Sequence, residues 1–183
     1  MPNVTCQISV SLDGFAAGPD QSRELPLGVG GERLLEGNGA YVMGRRMFGG
    51  GPGAWDPEWR GWWGEEPPYR APVFVLTHHP RAPLAMEGGT TFHFVDASPA
   101  EALETAREAA DGQDVRIGGG ATVIRDFVAA GLVDHMHIVV VPIVLGRGVR
   151  LWDGLEGIAG DYAIEATSSP SGVTHLTFTR AGR

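Results

Sequence analysis

The sequence predicts an α/β fold of three layers, an α/β/α sandwich whose central sheet of about eight strands is mostly parallel with an antiparallel C-terminal edge. Three observations predict it. Segments with strand and helix periods alternate along most of the chain. Two apolar runs, Ala40-Tyr41-Val42-Met43 and Val73-Phe74-Val75-Leu76, are continuous, as in strands buried on both faces. The chain then closes on two alternating segments, 162–167 and 173–179, which Ser168-Ser169-Pro170-Ser171-Gly172 joins as a hairpin.

Taken in order, residues 4–10 alternate apolar and polar and run into Ser11-Leu12-Asp13-Gly14, a first strand ending in a turn. Asp13 then sits at that strand's carboxyl end. A short helix is expected around 32–36, after which Gly37-Asn38-Gly39 leads into the run that Gly44 stops. Residues 52–70 hold Trp55, Trp59, Trp62 and Trp63 among prolines and glycines with no clean period, and read as a long ordered loop. The run at 73–76 ends in Thr77-His78-His79-Pro80, and 91–95 is a shorter alternating strand. Ser98-Pro99-Ala100-Glu101 is a capping box with proline at N1, opening a helix to about residue 110. Val115-Arg116-Ile117 is a brief strand and Gly118-Gly119-Gly120 a turn; Val123, Ile124, Phe127 and Val128 share a helical face before Gly131 stops that helix. Residues 135–145 read as one long strand. With no repeat or linker in view, 1–183 is expected to form one domain.

The composition, 43% hydrophobic and 20% charged, is that of a chain able to bury a core. A net charge of -8 argues against nucleic acid or anionic lipid as partner, since both are held through many basic contacts. It leaves room for a small phosphorylated ligand, because exposed charges are screened beyond about 8 Å at physiological salt. Cys6 is the single cysteine, so no internal disulfide exists, and the first ten residues carry neither a basic start nor a long apolar run. A cytoplasmic protein without a membrane span is expected.

The strongest chemical signal is Gly118-Gly119-Gly120-Ala121-Thr122-Val123, where glycines at a strand-to-helix junction let backbone amides approach an anion. It reads as a phosphate seat or merely as a tight connection. The second is Gly44-Arg45-Arg46-Met47, a buried strand stopped by glycine with two guanidinium forks beside it; the alternative is a solvated basic pair. Both lie at carboxyl ends of strands expected to be parallel, as does Thr77-His78, and ligands of open α/β sheets bind there. Gly28-Val29-Gly30-Gly31 follows no strand and reads as a loop, and His135 with His137 lacks a third ligand, so no metal is expected. No nucleophile elbow is present and Cys6 lies within a strand, which disfavours covalent catalysis.

Ser11-Leu12-Asp13-Gly14, Met43-Gly44-Arg45-Arg46-Met47-Phe48, Val75-Leu76-Thr77, Ile117-Gly118-Gly119-Gly120 and Pro142-Ile143-Val144-Leu145-Gly146, in that order and spacing, resemble the dihydrofolate reductase-like superfamily. The nearest branch is the C-terminal reductase domain of bifunctional bacterial riboflavin-biosynthesis proteins and its stand-alone relatives. The likeness spans nearly the whole chain. It implies NADPH across the carboxyl ends of the strands. Gly44, Arg45, Arg46 and Met47 with Thr77 and His78 would hold the adenosine and its 2′-phosphate. Gly118, Gly119, Gly120, Ala121, Thr122 and Val123 would hold the pyrophosphate, and Ala16, Ala17 and Gly18 would lie beside the nicotinamide. The acidic, proline-linked residue that binds pterin in dihydrofolate reductases is not reproduced by Glu24-Leu25-Pro26 or Glu32, and no zinc deaminase half is present.

The expected activity is therefore NADPH-dependent hydride transfer to a C=N or C=O carbon of a small heterocycle, as in 5-amino-6-(5-phosphoribosylamino)uracil reductase or dihydrofolate reductase. Asp13 is either the proton donor or only a turn residue. Trp55 either walls the substrate space or fills the core, and Arg147 would meet an acidic or phosphorylated substrate. The alternative is a non-catalytic NADP(H)-binding module. The resemblance also implies a homodimer paired along residues 135–145 and the terminal hairpin.

Overall fold

The computed structural model describes residues 2–17, 37–170 and 172–182. Gly18, Glu24-Leu25-Pro26, Gly28-Val29-Gly30-Gly31 and the helix expected at 32–36 lie outside them.

The first strand, β1 (Val4–Ser11), is followed by the three-residue β2 (Phe15–Ala17), then β3 (Ala40–Gly44), the single-turn helix α1 (Arg45–Phe48), β4 (Pro72–Leu76) and β5 (Leu84–Ala85). Next come β6 (Thr91–Val95), α2 (Pro99–Ala109), β7 (Val115–Gly119), α3 (Ala121–Ala129), β8 (His135–Val141), β9 (Val149–Arg150), β10 (Tyr162–Ser168) and β11 (Thr174–Arg180). One nine-stranded sheet runs in the order β10-β11-β8-β1-β7-β3-β4-β6-β5, and β2 pairs with β9 in a separate ribbon. The six strands from β8 to β6 are mutually parallel. The terminal hairpin β10–β11 is antiparallel to β8, and the two-residue β5 adds an antiparallel strand at the other edge. This is the mostly parallel sheet with an antiparallel C-terminal edge that the chain's periodicities predict.

Alternation sorts the strands between two clusters. On one face Val4, Cys6, Val42, Phe74, Val115 and Ile117 pack with Leu103 and Ala106 of α2 and Ile124 and Phe127 of α3. On the other, Tyr41, Met43, Val73, Val75, Phe92 and Phe94 pack with Phe48 of α1 and with Trp55, Trp59 and Trp63. Among the described residues the second layer is thus one helical turn and an aromatic loop.

The helix ends follow their local chemistry. The Ser98 hydroxyl accepts from the Glu101 amide and the Glu101 carboxylate accepts from the Ser98 amide, as the capping box requires. At the far end of α3, Gly131 adopts φ 69°, its amide donates to Val128 and the Leu132 amide to Phe127, a Schellman closure.

Three features differ from expectation. β8 stops at Val141 rather than residue 145, because Pro142 has no amide to continue the ladder. The ribbon β2–β9 and the edge strand β5 were not anticipated, since two or three residues carry no readable period. Val123 is only half-buried, packing against the edge of the helix-side core while its Cγ2 also faces Gly44. Among the described residues no helix is long and apolar enough to cross a membrane.

Candidate functional site

Because the six central strands are parallel, their carboxyl ends share one rim. Across the sheet it carries Val141, Ser11, Gly119, Gly44, Leu76 and Val95. β1 pairs with β7 only from Val4↔Val115 to Cys6↔Ile117, yet stays with β8 as far as Ser11↔Val141. Pairing of β1 with β7 thus stops two residues before β7 ends at Gly119, and β1 runs on past it, so Gly118 and Gly119 have no β1 partner at the carboxyl ends, where ligands of open sheets bind.

The glycine turn and the arginine turn meet on this rim. A β-carbon on Gly44 would lie 2.8 Å from Val123 Cγ2 and 3.9 Å from the Gly120 amide nitrogen, so the start of α1 abuts the start of α3. Met47 closes the same contact, its Sδ 3.7 Å from where a β-carbon of Gly118 or Gly119 would stand. Gly119 has φ 110°, which disfavours any residue with a side chain, and its peptide to Gly120 is cis. The amino end of α3 has Gly120 as N-cap, no side-chain cap and no acidic residue in its first turn. The amides of Ala121, Thr122 and Val123 are consequently open to an anion, whereas Ser98 and Glu101 close the equivalent end of α2.

The two arginines differ sharply. Arg46 is exposed, while the Arg45 guanidinium is buried at all three nitrogens with no hydrogen-bond partner among the described residues. Its Cζ lies over the Trp55 ring, 3.8 Å from the centroid. Thr77 is buried at the end of β4 and its hydroxyl accepts from the His79 amide. The neighbouring His78 ring pairs at 3.0 Å with Asp96, at the end of β6.

Trp55 packs into the aromatic cluster, in line with the core-filling reading of it. Its indole N–H donates to the His79 carbonyl and its ring packs edge-on against Phe48 and Phe94. That is the β3–β4–β6 side of the rim, with β7 between it and β1. Asp13 and Arg147 lie together on the other side.

Asp13 lies in the turn that follows β1. Its Oδ1 accepts from Ser11 Oγ at 2.6 Å and the Leu145 amide at 3.1 Å, and Oδ2 accepts from the Gly146 amide at 2.7 Å. These bonds, the one from Ser11 foremost, lower its pKa to about 2. The carboxylate is ionised at neutral pH and its bonds clamp the loop 142–148. Since the folded pKa is depressed, the clamp is fully formed above about pH 4 and is lost as pH falls through about 2. Replacing Asp13 with Asn should speed amide exchange at Leu145 and Gly146 by about tenfold at neutral pH, measured by NMR; unchanged protection would refute the clamp.

Arg147 is exposed on that loop, and Ala17 pairs with Val149 in the β2–β9 ribbon. Burial pushes the Cys6 thiol up to about 12, which leaves it protonated and unreactive at neutral pH. His137 contacts His175 across β8 and β11 at 3.1 Å, and among the described residues no group of three or more ligating side chains could hold a metal. Sequence reading missed Arg81. Its Nη2 donates to the Trp59 carbonyl and its Cζ lies 4.3 Å from the Phe94 centroid and 4.7 Å from that of Trp55. Nothing in the local pattern separates it from a surface arginine.

Comparison with known families decides the relationship, because the RibD C-terminal domain family matches residues 2–169. The chain belongs to that family. It has the dihydrofolate reductase-like fold, and RibD C-terminal domains form a family of NADPH-dependent reductases. A putative riboflavin biosynthesis protein from Shewanella sp. PV-4 is 23% identical with a TM-score of 0.62, covering 98% of this chain and 99% of that one. A diaminohydroxyphosphoribosylaminopyrimidine deaminase/5-amino-6-(5-phosphoribosylamino)uracil reductase from Thermotoga maritima is 14% identical with a TM-score of 0.61, covering 98% of this chain but 57% of its own. A pyrimidine reductase-like protein from Corynebacterium diphtheriae is 16% identical with a TM-score of 0.58, covering 100% and 93%. At these identities the structural matches speak for the fold. No curated protein matches the chain.

Proposed function

We propose that this RibD C-terminal domain is an NADPH-dependent reductase acting on a small pyrimidine-type heterocycle. The observation that carries the reading is Arg45, a buried guanidinium without a partner on the rim that also bears the uncapped start of α3. An unpaired buried cation is unfavourable, and an anionic ligand group relieves it. The donor set fits a dinucleotide: amides of Ala121 to Val123 for a pyrophosphate, with Arg45, Thr77 and His78 for the adenosine end and its 2′-phosphate. Bound there, the reduced nicotinamide supplies a hydride to an unsaturated carbon of the substrate.

The chain's own residues align the two reactants. Ala16 and Ala17 would lie beside the nicotinamide end, and the clamp at Asp13 fixes the loop that would present Arg147 to an acidic or phosphorylated substrate. With Asp13 ionised and fully engaged, water supplies the proton. A homodimer is part of this reading, supported by the outer strand β10, on which Ile164 is 44% exposed.

Following the absorbance of the reduced nicotinamide tests the proposal. Oxidation of NADPH is expected with 5-amino-6-(5-phosphoribosylamino)uracil and not with dihydrofolate. Its pH profile should show no ionisation of Asp13 between pH 5 and 8. Tight NADPH binding without turnover on any pyrimidine would replace the reductase with a binding module.

A further inference from the structure

We infer that Trp55 is a positioning residue that sets the preference for a 2′-phosphorylated nucleotide by supporting Arg45. This rests on the cofactor reading above and adds to it a residue on the aromatic loop, outside the glycine and arginine turns.

Two guanidinium groups face the same indole but are used differently. Arg81 donates to the carbonyls of Asp56 and Trp59, so it fastens the aromatic loop. Arg45 has no such bonds at any nitrogen. Its contact is the ring face itself, at 3.8 Å. A guanidinium held over an aromatic ring by its cation–π contact spends none of its five N–H donors on that contact. The contact therefore holds the cation in place and leaves its fork unspent for an anion. Water is already excluded from the three nitrogens, so the fork is desolvated in advance, and a phosphate reaches it once the atoms covering it give way.

The same indole sets the other half of the seat. Its N–H binds the His79 carbonyl, and the His79 amide donates to Thr77, so the turn after β4 and the start of α1 are both referenced to Trp55. Phe48 and Phe94 grip the ring from α1 and β6. The sheet brings these segments together, and Trp55 fixes the relation between Arg45 and the 77–79 turn.

Calorimetry with adenosine 2′,5′-bisphosphate and 5′-AMP isolates the effect, since the two probes differ only by the 2′-phosphate. Wild type should favour the bisphosphate. Trp55→Leu should weaken the bisphosphate about tenfold and 5′-AMP less than about twofold. Trp55→Phe, which keeps a ring face but loses the N–H, should fall between them at about threefold. Equal weakening of both probes would reduce Trp55 to a structural role. Discrimination that is unchanged or increased in Trp55→Leu would also overturn the inference, the increase meaning that the indole only covers Arg45. A wild type that binds both probes equally would overturn the 2′-phosphate reading itself, a result separable from either.

Discussion

Arg45→Met is expected to lower affinity for NADPH about 10- to 100-fold while leaving NADH within about twofold, and at the same time to raise the thermal midpoint by about 2–4 °C. The two effects share one cause. The Arg45 nitrogens are buried without partners, so the ligand-free protein carries an unpaired cation. Methionine fills similar volume, stays in contact with the Trp55 ring and removes the uncompensated charge. The lost cation–π contact offsets part of the gain, which is why the net stabilisation is set near 1 kcal/mol. Binding the 2′-phosphate needs the fork that methionine lacks. Arg46→Ala, at an exposed neighbour, should change either affinity by less than about threefold. Parallel titrations with both nucleotides and a melting curve check all of this. Loss of equal size for NADPH and NADH, or a lower midpoint for Arg45→Met, would contradict it.

Phe48→Ala should reduce unfolding free energy by about 3–5 kcal/mol, read from chemical denaturation. Phe48 is fully buried at the end of α1, with Phe92 and Phe94 at 5.0 Å and Trp55 at 5.8 Å between ring centroids. Its carbonyl also accepts the Trp59 indole N–H. One ring thus fastens the aromatic loop to the sheet on the face where, among the described residues, only α1 supplies helix. Removing it leaves a cavity that a single turn and an irregular loop are poorly built to fill. Domains of this size shift by about 2–4 °C per kcal/mol, so the midpoint should drop by about 6–20 °C. A loss under about 1 kcal/mol would show that the loop is held elsewhere.

Two residues that sequence left with alternative readings share a physical origin for that ambiguity. Asp13 was legible as a residue at the carboxyl end of β1, but its protonation state depends on amides of Leu145 and Gly146, more than a hundred residues away. Trp55 was legible as an aromatic in a loop, but which side of the rim it serves depends on bonds to His79 and contacts with Phe94. Strand β8 fell short of its apolar run because Pro142 ended it, and the residues beyond it form the loop that Asp13 holds.

The sequence by itself determined what rests on neighbours along the chain: the alternation of β1, the continuous runs of β3 and β4, the Ser98–Glu101 cap, the Gly131 stop and the glycine turn between β7 and α3. Each depends on a period or on bonds spanning a few residues, so local order suffices to fix it. Only the tertiary structure decided that β1 runs on beside β8 past its pairing with β7, that Gly44 touches the start of α3, and that one of two adjacent arginines is buried on an indole with no hydrogen-bond partner. Those features are set by strand order and by contacts between segments distant in the chain, and burial, which governs the energetics of a charge, is a property of the packed whole.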